Sequence, residues 1–525
     1  MIAICSMLHE ESNGSATLRF RDKPVLKWTV DRLRRAEHVS DVVVLCWEDQ
    51  VAAANQIGDA RIISRGARSP SASMQAIAAA RRWSDGWRGG LLQTCDFDAG
   101  FDSAATLDAM AENQAAVSVD PSSALVDPKL IDALIEHAER SPNQEICFMP
   151  AAPGLSGVLL RRTLMERLSI VKMHPGRLLH YLPAQPIHDP IAGSGCVAIP
   201  TAVARTTNCF RMDSQRQINR FTAALAPLNG QLISSDAEAL VSIMSKSDRL
   251  DSLPREITLE LNTKCQSRRI DRPSVDKRSD MSPQVFEALL DELRMAPDTR
   301  ITIGGSGDPI ECDALFDVLA CAAERGLKAM HLETDLLCED AGRIARLAHS
   351  PVDIISVHIP AATTSTYAKI MGIDAMTRVL NNVSTLVSER RNGLPLIVPT
   401  FVKCRENLAE MEIWYDQWIR ALGTAVIVGP SDFAGQINDV SVADMSPSRR
   451  GSCRRLKRRL TVLSDGTVVA CEQDVHALSP LGRICEQPLT EIWQQSMQPL
   501  RLAHACGKWN EVHPLCGRCR EWNRP

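Results

Sequence analysis

The chain has 525 residues, a length at which roughly 150 residues per domain predicts about three or four domains; 45% of it is hydrophobic, enough to bury several cores. Its 59 Lys+Arg against 63 Asp+Glu give a formal net charge of −4, which excludes an acidic solvating chain and leaves no general basic field for nucleic acid. Aromatic residues are only 4% of the total, which argues against a stacking surface built from Tyr and Phe.

From the N-terminus, Met1 to Glu10 carries no basic segment and reads as lacking a secretory signal. No run of 18 apolar residues follows, so no membrane span is expected and the chain is read as cytoplasmic. Pro24 opens an amphipathic helix over 24–36 with Leu26, Val30 and Leu33 on one face. Asp41–Cys46 then reads as a buried strand. A strand entered at Leu91-Leu92 and ending at Thr94–Asp98, a helix over 128–139 and a short strand at 145–149 continue the alternation expected of a doubly wound α/β domain. The Pro-, Gly- and His-rich stretch 171–215 extends it. A helix near 235–245 and the Asp-Ser-Leu-Pro punctuation at 251–254 place its end at residue 250.

The alternation restarts at 251. Strands at 257–261, 301–303, 328–333, 353–358, 396–402 and 424–428 are separated by helices at 283–294, 313–325, 339–348, 374–390 and 407–421, the rhythm of a parallel sheet curling into a partial or full β/α barrel over 251–440. Beyond it, residues 441–525 change character. A basic run, Arg449, Arg450, Arg454, Arg455, Lys457, Arg458 and Arg459, leads into short strands, and Asp465-Gly466 supplies the positive φ angles of a hairpin turn.

Cysteine usage locates the chemistry. There are 17, an odd number that cannot all pair internally, and in a reducing compartment a cluster of them points to metal or redox chemistry. Eleven are scattered over 1–452, whereas Cys453, Cys471, Cys485, Cys506, Cys516 and Cys519 fall in the last 73 residues. A hairpin carrying Cys471 and a Cys516-x-x-Cys519 turn can bring these sulfurs together with Cys453. Four thiolates suit either structural zinc or an iron–sulfur cluster, and the basic run favours deprotonated sulfur.

The segment Cys453, Asp465–Cys471, Leu481-Gly482-Arg483-Ile484, Leu489–Trp493 and Cys516-Gly517-Arg518-Cys519 resembles the SPASM domain, an auxiliary iron–sulfur module of radical S-adenosylmethionine enzymes. The resemblance implies one 4Fe-4S cluster held by Cys453, Cys471, Cys516 and Cys519, with Cys485 outside the pattern and Cys506 where longer versions carry extra ligands. The middle domain resembles the barrel of the same enzymes: Ile257–Cys265 matches the first strand and the entry to the cluster loop. Gly304-Gly305-Ser306-Gly307-Asp308-Pro309 is similar to the family's segment at the cofactor's amino group, which implies S-adenosylmethionine contacts at Gly304, Gly305, Gly307 and Asp308. Glu333-Thr334-Asp335, Ser356-Val357-His358 and Tyr367 match later strand-end motifs.

One departure overrides these matches. Where the family's Cys-x3-Cys-x2-Cys binds its catalytic cluster, this chain reads Cys265-Gln266-Ser267-Arg268-Arg269-Ile270-Asp271-Arg272. A guanidinium cannot ligate iron, so loss of the catalytic cluster, and with it of cofactor cleavage, is expected. An active radical enzyme would need substitute ligands such as Cys312 or Cys338, and Arg268, Arg269 and Arg272 would alternatively form an anion site.

Residues 1–250 resemble a nucleotidyltransferase of the cytidylyltransferase type at Arg19–Leu26, Thr94–Asp98 and Phe210–Ser214. That resemblance implies magnesium at Asp96 and Asp98 and a nucleotide or sugar substrate. Its phosphate loop is poorly kept: Ser6–Ser15 holds a single glycine, Gly14, beside Glu10 and Glu11. No catalytic residue is assigned. The partner expected for the whole chain is a protein or peptide, or such a nucleotide substrate.

Overall fold

The computed structural model describes all residues except 11–13, 72–74, 76–78, 80–81, 84–101, 172–174, 176–177, 179–189, 207, 247–250 and 525. Two compact units, Met1–Arg249 and Leu250–Pro525, divide the chain.

In the first unit the strands are β1 (Ile2–Ser6), β2 (Arg19–Phe20), β3 (Lys23–Pro24), β4 (Asp41–Cys46), β5 (Arg61–Ser64), β6 (Ala115–Val119), β7 (Ile146–Cys147) and β8 (Val158–Arg161). β2 and β3 form a small hairpin; the rest make one sheet in the order β5-β4-β1-β6-β8-β7. β1 pairs in parallel with β4 and β6, while β8 runs antiparallel to both β6 and β7. Alternate residues of the continuous apolar runs enter two separate cores. Ala3, Cys5, Val42, Val44, Val117 and Val119 face one, and Ile2, Ile4, Val43, Leu45 and Ala116 face the other. Helices cover both faces, which is why these strands read as unbroken hydrophobic runs. Helix Val25–Leu33 and helix Pro128–Arg140 pack on the first core; Ser103–Met110 and Arg162–Val171 pack on the second. Asp127, followed by Pro128, starts its helix by accepting the Lys129 N–H at 2.9 Å. The expected strand at 91–98, and with it Asp96 and Asp98, lies outside the described residues.

The second unit contains β9 (Glu256–Leu259), β10 (Arg300–Ile303), β11 (Ala329–Thr334), β12 (Ile354–His358), β13 (Leu396–Val402), β14 (Val426–Val428), β15 (Arg459–Val462), β16 (Thr467–Val469) and β17 (Gly482–Arg483). β9 to β14 are parallel neighbours in sequence order, and each β/α step is closed by a helix near its expected place, from Pro283–Leu293 to Met411–Leu422. The barrel is partial. β14 ends the sheet on one side, and on the other β9 pairs with β15 instead of closing on β14. A helix at Thr364–Met371 escaped the sequence reading; Thr363 caps its start and Gly372, at φ 68°, ends it.

Residues 441–525, expected as a separate module, share both sheet and core with the barrel. β15 lies parallel to β9, and β16 and β17 extend the sheet antiparallel. Leu460, Val462, Val468, Ile484, Trp493 and Met497 join the same core as Ile257, Leu259 and Phe286. Among the described residues no helix is long and apolar enough to cross a membrane.

The hairpin turn forms where the sequence predicts, but of the Asp465-Gly466 pair only Gly466 takes a positive φ, 86°, and its N–H donates to the Leu463 carbonyl at 2.9 Å. A Cβ there would adopt the left-handed conformation and approach Val285 to 3.3 Å. Gly466→Ala is expected to lower stability by about 1–2 kcal/mol, read as an earlier midpoint in chemical denaturation.

Candidate metal centre and a filled barrel mouth

The carboxyl ends of β9 to β12 converge on a network of buried charges. Glu260, just past β9 and 1% exposed, receives Arg278 Nη2 at 2.7 and 2.9 Å on its two oxygens. It also accepts the Ser306 N–H at 3.1 Å and the Ser464 N–H at 3.3 Å. The glycine-rich loop packs directly on these side chains. A Cβ at Gly307 would stand 2.1 Å from Asn262 Oδ1, one at Gly305 (φ 122°) 3.0 Å from Glu260 Cβ, and one at Gly304 3.2 Å from Glu333. Close internal approach therefore accounts for all three glycines. Asp308 is buried as well. It accepts Thr334 Oγ1 at 2.6 Å, the Asp335 N–H at 3.0 Å and the Ile310 N–H at 3.2 Å. Burial and the neighbouring Asp335 nevertheless push its carboxyl up to about 7.

Arg269, which stands where the family has its second cysteine, is turned inward. Its side chain is 6% exposed and contacts Asp271 at 2.6 Å and Asp335 at 3.3 Å. His358 Nδ1 lies 2.9 Å from the same Asp335. Ser267 donates to Asp335, and Cys265 Sγ reaches it at 3.5 Å. Against the cost of burial, His358 and Arg269 hold Asp335 well below the usual carboxylate range. Burial and Asp335 together push the Cys265 thiol up to about 11, the opposite of an activated thiolate. Arg272 is half-buried and adds positive charge beside Asp271, Asp335 and Glu333, while Arg268 is exposed. The expected anion site is thus corrected: Arg269 is occupied by two carboxylates and Arg268 faces away to solvent. Nor do substitute ligands gather. Cys312 Sγ points to the Leu261 carbonyl at 3.9 Å and Cys338 Sγ to that of Asp340 at 3.8 Å.

In the first unit, Lys23 pairs with Asp31 at 3.1 Å. The Glu10 carboxylate accepts the Ser15 N–H at 3.0 Å and its hydroxyl at 2.8 Å, so a side chain of the loop itself takes the position of an anion there.

The C-terminal cysteines do converge. Cys453, Cys471, Cys516 and Cys519 line one cavity together with Arg450, Arg455, His504, His513 and Glu521. Cys453 precedes the short turn into β15, Cys471 follows β16, and Cys516 and Cys519 occupy a tight turn in which the Cys519 N–H donates to the Leu515 carbonyl at 3.1 Å. Burial is the main cause raising each thiol, with Cys516 pushed up to about 12, and the thiols also raise one another: Cys516 feels Cys519 and Cys453, and Cys471 feels Cys519. Four half-buried soft donors that repel one another as thiolates are a donor set that a bound cation would relieve. Among the described residues no three His, Cys, Asp or Glu side chains are gathered at the spacing of a single ion; the sulfurs ring a cavity instead. Arg455, 6% exposed, supplies positive charge near Cys471 and Cys453 and is itself held by Glu472 and Glu521. Cys485 and Cys506 are exposed and lie outside this ring.

Residues 453–520 match the family model of SPASM, an iron–sulfur cluster-binding domain. The match begins at the first of the four converging cysteines and includes all of them. An uncharacterized protein of Treponema pallidum (strain Nichols) is 28% identical over 236 residues, 42% of this chain, and the chain spans 64% of that relative's length. Among solved structures, BtrN in complex with AdoMet and 2-DOIA is 19% identical over 51% of this chain and 93% of its own, with a TM-score of 0.34. Streptococcus suis SuiB bound to the precursor peptide SuiA is 12% identical over 52% and 71%, with a TM-score of 0.41. Native anSMEcpe with bound AdoMet is 12% identical over 51% and 87%, with a TM-score of 0.38.

Arg455, from the basic run, and His504, which no spacing singles out, complete the wall of the cavity. A histidine at the end of helix Gln498–Ala505 carries no sequence signature of its own. At the barrel mouth, removing one partner of a buried ion pair leaves the others uncompensated. Arg269→Ala should therefore cost about 3–5 kcal/mol, whereas exposed Arg268→Ala should stay within about 0.5 kcal/mol; urea denaturation of both variants measures the contrast.

Proposed function

We propose that the protein is an iron–sulfur member of the radical S-adenosylmethionine superfamily that binds one 4Fe-4S cluster in its SPASM segment and no catalytic cluster in its barrel. The convergence of Cys453, Cys471, Cys516 and Cys519 on a single cavity carries the first half of this reading. When bound, such a cluster supplies one-electron chemistry. The chain's own residues would hold it by four thiolates, exclude water through burial, and offset the negative charge with Arg455 and the nearby Arg450.

The absence of a catalytic cluster is supported by the inward placement of Arg269. Its guanidinium satisfies Asp335 and Asp271 in the interior beneath the loop, where a negatively charged thiolate ligand set would instead meet those carboxylates. Without an open iron, S-adenosylmethionine has no chelation site. Gly304, Gly305, Gly307 and Asp308 then serve the loop's own packing, and the barrel acts as a scaffold for the SPASM segment and for a partner protein or peptide.

Anaerobic reconstitution followed by iron and sulfide analysis tests the assignment. The wild type should take up about four irons and four sulfides per chain, and Cys516→Ala/Cys519→Ala should lose them. Under strong reductant, no 5′-deoxyadenosine should form from S-adenosylmethionine. Uptake of zinc alone defeats the cluster assignment; about eight irons together with cofactor cleavage defeats the claim for the barrel.

A further inference from the structure

The wall of the four-cysteine cavity contains a histidine whose two ring nitrogens are in different situations. His504, 2% exposed, accepts the Cys453 backbone N–H on Nδ1 at 3.3 Å. A nitrogen that accepts a hydrogen bond carries no proton, so the ring proton sits on Nε2. Nε2 is fully buried and has no acceptor among the described residues. A buried donor left without a partner costs about 1–3 kcal/mol, so its presence in a cysteine-lined cavity calls for an acceptor that the polypeptide does not supply. The same cavity holds further donors of this kind: Arg450 Nε, and Arg455 Nε on a side chain 8% exposed whose terminal nitrogens face Glu472 and Glu521.

The ring is fixed by more than this one bond. It lies 6.2 Å from Trp509, whose face carries Arg450 at 4.8 Å. Arg450 also donates to the backbone carbonyls of Cys516 and Gly517. One edge of the ring thus positions the backbone of Cys453, while the opposite edge presents an N–H with nothing opposite it in the protein.

We propose that His504 donates its Nε2 hydrogen to a sulfur of the cluster bound by Cys453, Cys471, Cys516 and Cys519, and so sets the cluster's reduction potential. This rests on the SPASM reading above. An N–H donated to a cluster sulfur stabilises the more negative, reduced state, so it raises the potential. His504 acts here as a positioning and tuning residue and is not an iron ligand.

The test uses the full-length, reconstituted protein. Iron and sulfide are counted first, and wild type that takes up only zinc removes the SPASM reading and this inference with it. With the cluster loaded, EPR-monitored redox titration of His504→Leu, which removes the donor, should give a lower midpoint than wild type at unchanged iron content. His504→Gln, which keeps both an acceptor for the Cys453 N–H and a donor, should recover part of the shift. In case His504→Leu does not fold, the wild type is labelled with 15N-histidine and its reduced cluster measured by pulsed EPR. A weak nitrogen coupling that disappears in His504→Gln supports the donor; no coupling overturns it, and a coupling of ligand strength makes His504 an iron ligand and overturns it too. An unchanged midpoint in a fully loaded His504→Leu variant also overturns the proposal.

Discussion

The carboxylate of Glu260 joins the three parts of the second unit that matter for its chemistry. From the end of β9 it holds Arg278 of the cluster-loop region, the Ser306 N–H of the glycine-rich loop and the Ser464 N–H of the C-terminal hairpin. Accepting from a guanidinium and two backbone amides satisfies the hydrogen-bonding capacity of this buried carboxylate. Because β9 also carries β10 on one edge and β15 on the other, the hairpin is a continuation of the barrel sheet. The cysteines at its base are therefore positioned by the barrel core, and the SPASM cavity inherits its rigidity from strands whose sequence carries no metal signature.

At the barrel mouth a cation of the protein itself lies among buried carboxylates. The Arg269 side chain supplies a cation in that space and is bound on two sides by carboxylates. Replacing a buried ion network with apolar residues is often neutral or stabilising, so such a network is weak evidence for stability by itself. What it does impose is specificity of arrangement: Arg269, His358 and Ser267 all direct polar groups to Asp335, and the Cys265 thiol beside it is raised away from reactivity.

The two halves of the second unit thus differ in electrostatic logic. At the mouth, cations and anions are matched within the protein. In the C-terminal cavity, four half-buried thiols lie together with buried N–H donors of His504, Arg455 and Arg450 that meet no acceptor among the described residues. Mutually repelling sulfurs and unpaired donors form surroundings that a group with positive metal and accepting sulfide would satisfy.

Local sequence determined the order and type of most elements, because the period of apolar residues is set by which face of a strand or helix is buried. Asp41–Cys46 and Leu396–Val402 were legible for that reason, as were the Asp465-Gly466 turn and the spacing of the four cysteines. The replacement of two loop cysteines by Arg269 and Arg272 was legible as well, but its consequence was not. Only the tertiary structure brings Arg269 to Asp335, 66 residues away, and the Ser464 amide to Glu260, 204 residues away. It likewise brings the Cys453 amide to His504 across 51 residues. Such pairings follow from which distant groups are buried together and must satisfy one another's charge and hydrogen bonds, a condition that no local period records.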